Sequence, residues 1–342
     1  MSRRLVLAAD AGGTKTNVAL VPVDDGAHLG VPLAAATYPS HDFPSLEAIL
    51  DAFRAAHAGV FSNGVDAATI GFAGPIAGGR GAGSNVPWAV DAASLARHLG
   101  LPRVGLVNDL VATGYGVVSL GPEQLVPLLP GTAAPDANAA ILAAGTGLGE
   151  AILARVGAGF LPIDSEGGHA DYAPRTDTEL EIWRLLRSRH GRVSVERVLS
   201  GPGLANVAEA IHARAGAEAA WRAHEREAGG AAALPGAVST KGLEGSCPAC
   251  AEALDVFAGI YGSEAGNLAL RCVARSGVYL AGGIAPRILP ALRGPAFERA
   301  FRDKEPHRAL LAAIPVWVVL DDRAALWGAA RHAAGALSPS AS

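Results

Sequence analysis

Cysteine is almost missing from this chain, which holds Cys247, Cys250 and Cys272 and no others in 342 residues. So sparse and odd a count excludes a disulfide framework and points to a reducing compartment. Cys247 and Cys250 form a CxxC. Zinc needs about four ligands at suitable spacing, and no second CxxC or close histidine pair completes this one, so the expectation here is a loop and a helix start. Charge of one sign is equally scarce. The formal net charge is −4, with acids and bases interspersed rather than in blocks, which leaves no electrostatic footprint for nucleic acid. No uncharged apolar run reaches membrane-spanning length, and MSRR runs directly into a β-like segment without a signal-type apolar region. A cytoplasmic protein that engages neither nucleic acid nor membrane is expected.

What the chain does have is apolar residue, half of its length, enough for a large core and two domains of α/β type. Leu5–Ala9 and Thr16–Val23 read as strands joined by a short glycine-containing link, and Asp24–Gly26 turns toward a third strand near Val31–Thr37. The first helix is Ser45–Ala58, with Ser45 as N-cap and Leu46, Ile49, Leu50 and Phe53 at helical spacing. Strands recur at Ala68–Phe72 and Val104–Val107. The order then starts over: strand Ala139–Ala143, the turn GTGLGE, and strand Ala151–Arg155. Helix Ala251–Ala274, strand Val278–Ala281, GGI, a helix, strand Val316–Val319 and an alanine-rich helix close the chain. Ala213–Gly245 reads as a helix followed by a loose loop.

The glycine turns carry the first chemistry. In LVLAADAGGTKTNVALV, glycines at a β-turn let backbone N–H groups converge on an anion where side chains would block it. Gly12, Gly13 and Thr14 offer donors to a phosphate, and Asp10, at the end of the first strand, can hold Mg²⁺ directly or through water. A tight hairpin explains the same glycines. Gly145, Thr146 and Gly147 repeat the arrangement, and two such turns could hold the two ends of a triphosphate. Neither is a P-loop, since no Gly-Lys-Ser/Thr follows, and GTGLG has neither the spacing nor the strand-to-helix context of a dinucleotide fingerprint.

DAGGTKTN, LVNDL, AAGTGLGE, DSEGGHADYAP, ERVLSGPGL, AGGIAPRI and IPVWVVLDD follow one another in this order. Together they resemble the bacterial ATP-dependent glucokinases, members of the sugar kinase, Hsp70 and actin superfamily. The resemblance implies an α/β, actin-like ATPase (ribonuclease H-like) fold. A small domain, 1–119 plus 321–342, and a large domain, 120–320, would flank a cleft with ATP across its floor and the sugar between the lobes. It implies Mg²⁺ as cofactor, a homodimer, and phosphorylation of glucose at the 6-hydroxyl to glucose 6-phosphate for glycolysis.

It also implies roles for particular residues. Asp109 would be the base that accepts the hydroxyl proton, the one piece of covalent chemistry that phosphoryl transfer asks of a protein. Asn108 and Asp109 would hold hydroxyls near the reacting end, with Glu166, His169 and Glu196 on the other side of the ring, because a hexose needs partners for each hydroxyl. Gly282 and Gly283 would pack against the adenosine. Local readings stand beside these: an Asn-Asp pair after a strand serves as an Asx-turn or N-cap, a first-turn acid such as Glu196 suits a helix dipole, and Asn85 in SNVPW reads equally as a turn residue and stays outside the core site.

Two positions depart from the family pattern. Ala11 replaces a branched residue, and Glu150 stands where an apolar residue is common, either disturbing the phosphate loop or lying at the surface. Other readings are a broader kinase of the repressor and open-reading-frame group, a sugar-responsive regulator, and an actin-like or chaperone-like ATPase. The first carries a cysteine-rich zinc signature after its histidine, whereas His169 is followed by ADYAP. The second would need a DNA-binding helical pair ahead of the first glycine turn, and nine residues precede Asp10. The third has no use for the polar set Asn108, Asp109, Glu166 and His169.

Overall fold

Strands β1 (Arg4–Ala11) and β2 (Lys15–Val23) carry continuous apolar runs and are buried on both faces along nearly their whole length, as strands are when a sheet is covered from two sides. The computed structural model describes residues 4–24, 28–61, 64–83, 86 and 88–337. Asn85 and part of the turn expected at Asp24–Gly26 lie outside these residues. By its internal contacts the chain divides into two units, one of Met1–Gly121, Phe160–Asp164 and Asp321–Ser342, the other of Pro122–Gly159 and Ser165–Leu320.

In the first unit, β1 and β2 pair antiparallel from Arg4↔Val23 to Ala11↔Thr16, and β3 (Ala34–Pro39) continues the meander. Strand β4 (Ala67–Phe72) lies parallel to β1 on its other side. A small sheet of β5 (Ile76–Ala77), β6 (Arg80–Gly81) and β7 (Val90–Asp91) intervenes before β8 (Val104–Asn108), which is parallel to β4. The order is β3-β2-β1-β4-β8. Helix Leu46–Ala56 starts as expected, the Ser45 side chain accepting from Ala48 N at 3.2 Å. Its face of Leu46, Ile49, Leu50 and Phe53 is buried, each side chain contributing about 1.5–3 kcal/mol of hydrophobic stabilisation. Helices Asp109–Val117 and Ala324–Gly335 cross at near backbone contact. A Cβ on Gly116 would overlap the carbonyl of Ala324, and one on Gly328 would overlap that of Ala112.

The other sheet begins with β9 (Leu125–Leu129) and repeats the meander in β10 (Ala139–Ala144), β11 (Leu148–Val156) and β12 (Gly159–Ser165), and all of it except Phe160–Asp164 belongs to the second unit. Strands β13 (Gly277–Ala281) and β14 (Val316–Val319) run parallel to β10 in turn, and β9 closes the far edge antiparallel to β14. The order β12-β11-β10-β13-β14 therefore matches that of the first sheet. A helical layer covers it, centred on the long helix Pro248–Cys272, most of whose residues are buried. That helix begins on Cys247, whose sulfur accepts from Cys250 N at 3.4 Å, with Pro248 in its first turn.

The stretch expected to be a helix and a loose loop differs. It contains the end of helix Gly201–Arg214 and two further helices, Glu218–Ala228 and Leu234–Leu243. Their buried side chains are only Trp221 and His224 in one, Leu234 and Val238 in the other. So thin an apolar stripe in an alanine- and glycine-rich background carries little periodic signal. The third strand also starts later than expected, because Val31 is left 84% exposed and pairing begins at Ala34.

Candidate active site

At the open end of β1, Asp10 and Asn17 face each other across the ladder, one pair in from the turn. Asn17 Nδ2 donates to Asp10 Oδ2 at 3.2 Å and its Oδ1 accepts from Thr37 Oγ1 at 2.8 Å. The amide of Asn17 is thus held from both ends, and it orients the carboxylate. Burial pushes the Asp10 carboxyl up to about 6, the Asn17 hydrogen bond offsets part of this, and the charge of Asp109 raises it further. A cation would reverse that balance, and hard oxygen ligands of this kind suit Mg²⁺.

The turn itself is pinned. Gly12 N donates to Lys15 O at 3.1 Å, Ser40 N donates to Thr14 O at 3.0 Å, and Ser40 Oγ donates to Gly12 O at 2.7 Å. Gly12 therefore closes the hairpin, and a Cβ there would stand 3.0 Å from Lys15 O. Gly13 is partly exposed and Thr14 exposed at the turn's outer side.

Strand β8 runs straight into helix Asp109–Val117. Asn108 caps it, Oδ1 accepting from Leu110 N at 2.8 Å, while Nδ2 donates to Gly74 O at 3.2 Å. Asp109 is the first helical residue, and its Oδ1 also accepts from Leu110 N, at 3.0 Å. A negative charge at this position is favoured by the helix dipole. The cap expected of Asn108 is therefore present, and it occupies the side-chain oxygen and fixes the side chain. Gly71 on β4 permits this approach, a Cβ there meeting that of Ala112 at 3.0 Å.

In the second unit the turn between β10 and β11 is tighter. Gly145 N donates to Gly147 O at 2.9 Å, and Gly145 O accepts from Gly201 N at 2.7 Å. Gly201 opens helix Gly201–Arg214, whose cap Ser200 accepts from Gly203 N at 3.0 Å, so a helix N-terminus adjoins this glycine turn, an arrangement that favours anions. Gly282, after β13, has φ +83 and no room for a Cβ against the carbonyl of Ala144. Only glycine fits there. Gly283 follows at the head of the short helix Ile284–Arg287.

Glu166, His169 and Glu196 come together. His169 Nε2 lies 3.9 Å from Glu166 Oε2 and its Nδ1 3.9 Å from Glu196 Oε1. Glu196 sits in the turn Val195–Arg197, and its Oε2 accepts from Leu148 N at 3.0 Å. It joins the histidine loop to the glycine turn, and a Cβ on Gly147 would be 2.7 Å from that same oxygen. The two glycines of SEGGH serve the same contact: Gly168 lies against the carbonyl of Leu148, and Gly167 against the carboxylate of Glu150.

Glu150 is the residue for which a surface position was one expectation, and the structure corrects it. Glu150 is 1% exposed. Burial, then the neighbouring charge of Glu264, raises its carboxyl to about 7, with Arg271 pulling the other way. Arg271 Nη1 stands 3.5 Å from Glu150 Oε2 and 2.8 Å from Glu264 Oε1. Seated under Gly167, this carboxyl supports the loop that carries Glu166 and His169. Sequence reasoning missed that role and the orienting role of Asn17, although Asn17 closes the quoted motif DAGGTKTN.

A profile of the family described as Glucokinase matches residues 7–336. A curated glucokinase of a Synechocystis strain is 39% identical over 96% of this chain and 97% of its own. The crystal structure of a glucokinase from an Antarctic psychrotroph, 30% identical, superposes with a TM-score of 0.83 over 97% of this chain and 99% of that one. A glucokinase of the repressor and open-reading-frame group from Streptomyces griseus, solved with glucose and AMPPNP, matches over 96% of this chain and 99% of its own. At 23% identity and a TM-score of 0.62 it shares the fold alone.

Proposed function

Since this chain belongs to the glucokinase family and has its two-unit, actin-like α/β fold, we propose that it transfers the terminal phosphoryl group of ATP to the 6-hydroxyl of glucose. The product is glucose 6-phosphate, for glycolysis. The observation that carries the reading is the acid pair of the first unit, a carboxylate at the start of a helix beside a second carboxylate whose pKa its charge raises.

Asp109 accepts the proton of the attacking hydroxyl, and Asn108 helps to hold the sugar there. Glu166, His169 and Glu196 accept and donate hydrogen bonds on the far side of the ring. Gly12 and Gly145, whose own amides close their hairpins, shape the two turns for close approach, Gly13 and Thr14 on one and Thr146 and Gly147 on the other offer the phosphates backbone amides, and Gly282 and Gly283 make room for the adenosine. Asp10, oriented by Asn17, holds Mg²⁺ directly or through water. When bound, that ion offsets the negative charge of the phosphates.

The 38–39% identity to curated glucokinases over nearly the whole chain supports glucose as the sugar substrate. On this reading a small domain, 1–119 plus 321–342, and a large domain, 120–320, close on the sugar and exclude water from the phosphoryl group. A cytoplasmic homodimer with Mg²⁺ as cofactor completes the proposal. Among the described residues no helix is long and apolar enough to cross a membrane.

A coupled assay over a panel of hexoses and phosphoryl donors, with Asp109→Asn as control, tests it. Glucose and ATP should give the highest kcat/KM. A different preferred hexose would move the substrate assignment, and near-normal turnover by the Asn variant would refute the assigned base.

A further inference from the structure

The sequence left the Cys247–Cys250 pair without partners, and the fold supplies them. Helix Gly201–Arg214 carries His212 in its last turn, helix Glu218–Ala228 carries His224, and Cys247 and Cys250 open helix Pro248–Cys272. One ligand atom from each of the four lies within 4.8 Å of the others. His212 and His224 are remote from the CxxC in sequence, which is why neither completes a recognisable motif.

We propose that His212, His224, Cys247 and Cys250 hold one structural Zn²⁺ ion. Two thiolates and two imidazoles are the ligand set that zinc takes in closed tetrahedral sites. The charge balances, because two thiolates cancel the ion and the imidazoles are neutral, so the complex suits a buried position.

The surrounding hydrogen bonds are those such a site needs. His212 is fully buried and its Nδ1 lies 2.7 Å from the carbonyl of Ala208. Donation there leaves the lone pair on Nε2, which points to Cys247 Sγ at 3.5 Å, the outer-sphere arrangement that orients a ligating histidine. Cys250 N donates to Cys247 Sγ, as expected for a sulfur carrying negative charge. His224 is 8% exposed, and neither ring nitrogen has a hydrogen-bond partner. Glu227 Oε2 stands 3.9 Å from its Nδ1, beyond hydrogen-bond reach. A buried imidazole without a partner is unfavourable, and a metal bond would satisfy it.

Metal ligation deprotonates cysteine thiols outright. The role is structural, since His212 is near the far end of the helix whose first residue bonds Gly145, roughly 17 Å away at 1.5 Å per residue. The ion would tie together three helices in the segment with the thinnest apolar stripe.

The test is the zinc content of the full chain purified under reducing conditions, together with the visible spectrum after exchange of Co²⁺ for zinc. The wild type should carry about one zinc per chain and give tetrahedral cobalt bands with thiolate charge transfer. Cys247→Ser keeps a good helix cap and should lower the zinc content roughly tenfold, as should His224→Asn. A chelator should lower Tm by about 5 °C in the wild type and leave the Cys247→Ser variant unmoved. Zinc content unaltered by both substitutions, or cobalt bands of octahedral type, would overturn the proposal. So would a Cys247–Cys250 disulfide in freshly isolated protein. None of these readouts depends on sugar phosphorylation.

Discussion

The two glycine hairpins are built on the same ladder and equipped differently. One pair in from the turn, the first unit places Asp10 opposite Asn17, and the second places Ala143 opposite Gly149. One step further in, Ala9 faces Val18, whereas Leu142 faces Glu150. Each unit therefore carries one acid with a raised pKa on this hairpin, at different depths. Asp10 faces another acid, Asp109, and is suited to a cation from outside. Glu150 already has its cation in Arg271 and supports a loop. On the proposed function, duplicated topology thus leaves metal and base chemistry to one sheet and substrate shape to the other.

The sharpest way to break this comparison is Asp109→Asn, which should lower turnover by about 10²–10⁴-fold, the range for a general base, while glucose still raises Tm in a thermal-shift titration. An equal loss from a substitution on the β10–β11 turn with intact folding would show that the chemistry is not confined to the first unit.

Glu150 offers the next test. Its folded pKa, about 7, exceeds the ordinary 4.5, so the folded state holds a proton that the unfolded chain has released. Its contribution to stability is complete below pH 4.5, is lost as pH rises to about 7, and changes no further above that. The expected fall is roughly 3 kcal/mol, read by urea unfolding at pH 5 and pH 8. Glu150→Gln should flatten the profile, and an unchanged profile would mean that Glu150 is ionised in the folded protein.

For Asp10 the sign is the same, since its carboxyl rises from 3.8 to about 6. Stability present below about pH 4 is lost through pH 6, on the order of 2 kcal/mol after allowance for partial exposure. A bound cation selects the ionised form. Mg²⁺ with nucleotide should therefore raise Tm more at pH 8 than at pH 5, and Asp10→Asn should remove that difference.

The smallest effect concerns shape alone. Gly168→Ala forces a methyl group against the Leu148 carbonyl and should cost about 1–2 kcal/mol, with KM for glucose raised more than kcat is lowered. A variant as stable and as tight as the wild type would show that the histidine loop and the glycine turn are not coupled.

How much of this could be read beforehand depended on how local the signal was. Helix Leu46–Ala56 announced itself through its cap and four apolar positions on one face, and the strand–glycine–strand repeat was visible as a repeat of short apolar runs. The helices at 218–228 and 234–243 were not, because each buries only two side chains. Glu196 looked like a helix-start acid, and it does sit in a short helical turn, yet its oxygen reaches Leu148, 48 positions away. Glu150 reaches Arg271 across 121 positions. No periodicity encodes such a meeting.

By itself, the sequence determined the local features: which segments are strands, where glycine must stand, where a helix is capped, and which family the ordered motifs resemble. These follow from dihedral preference and side-chain period, which act over a few residues. Only the tertiary structure decided that Glu150 is buried, that Glu166, His169 and Glu196 converge, and that two histidines meet the cysteine pair. Those groups are brought together by the burial of apolar surface elsewhere, and their pKa values and partners follow from that packing.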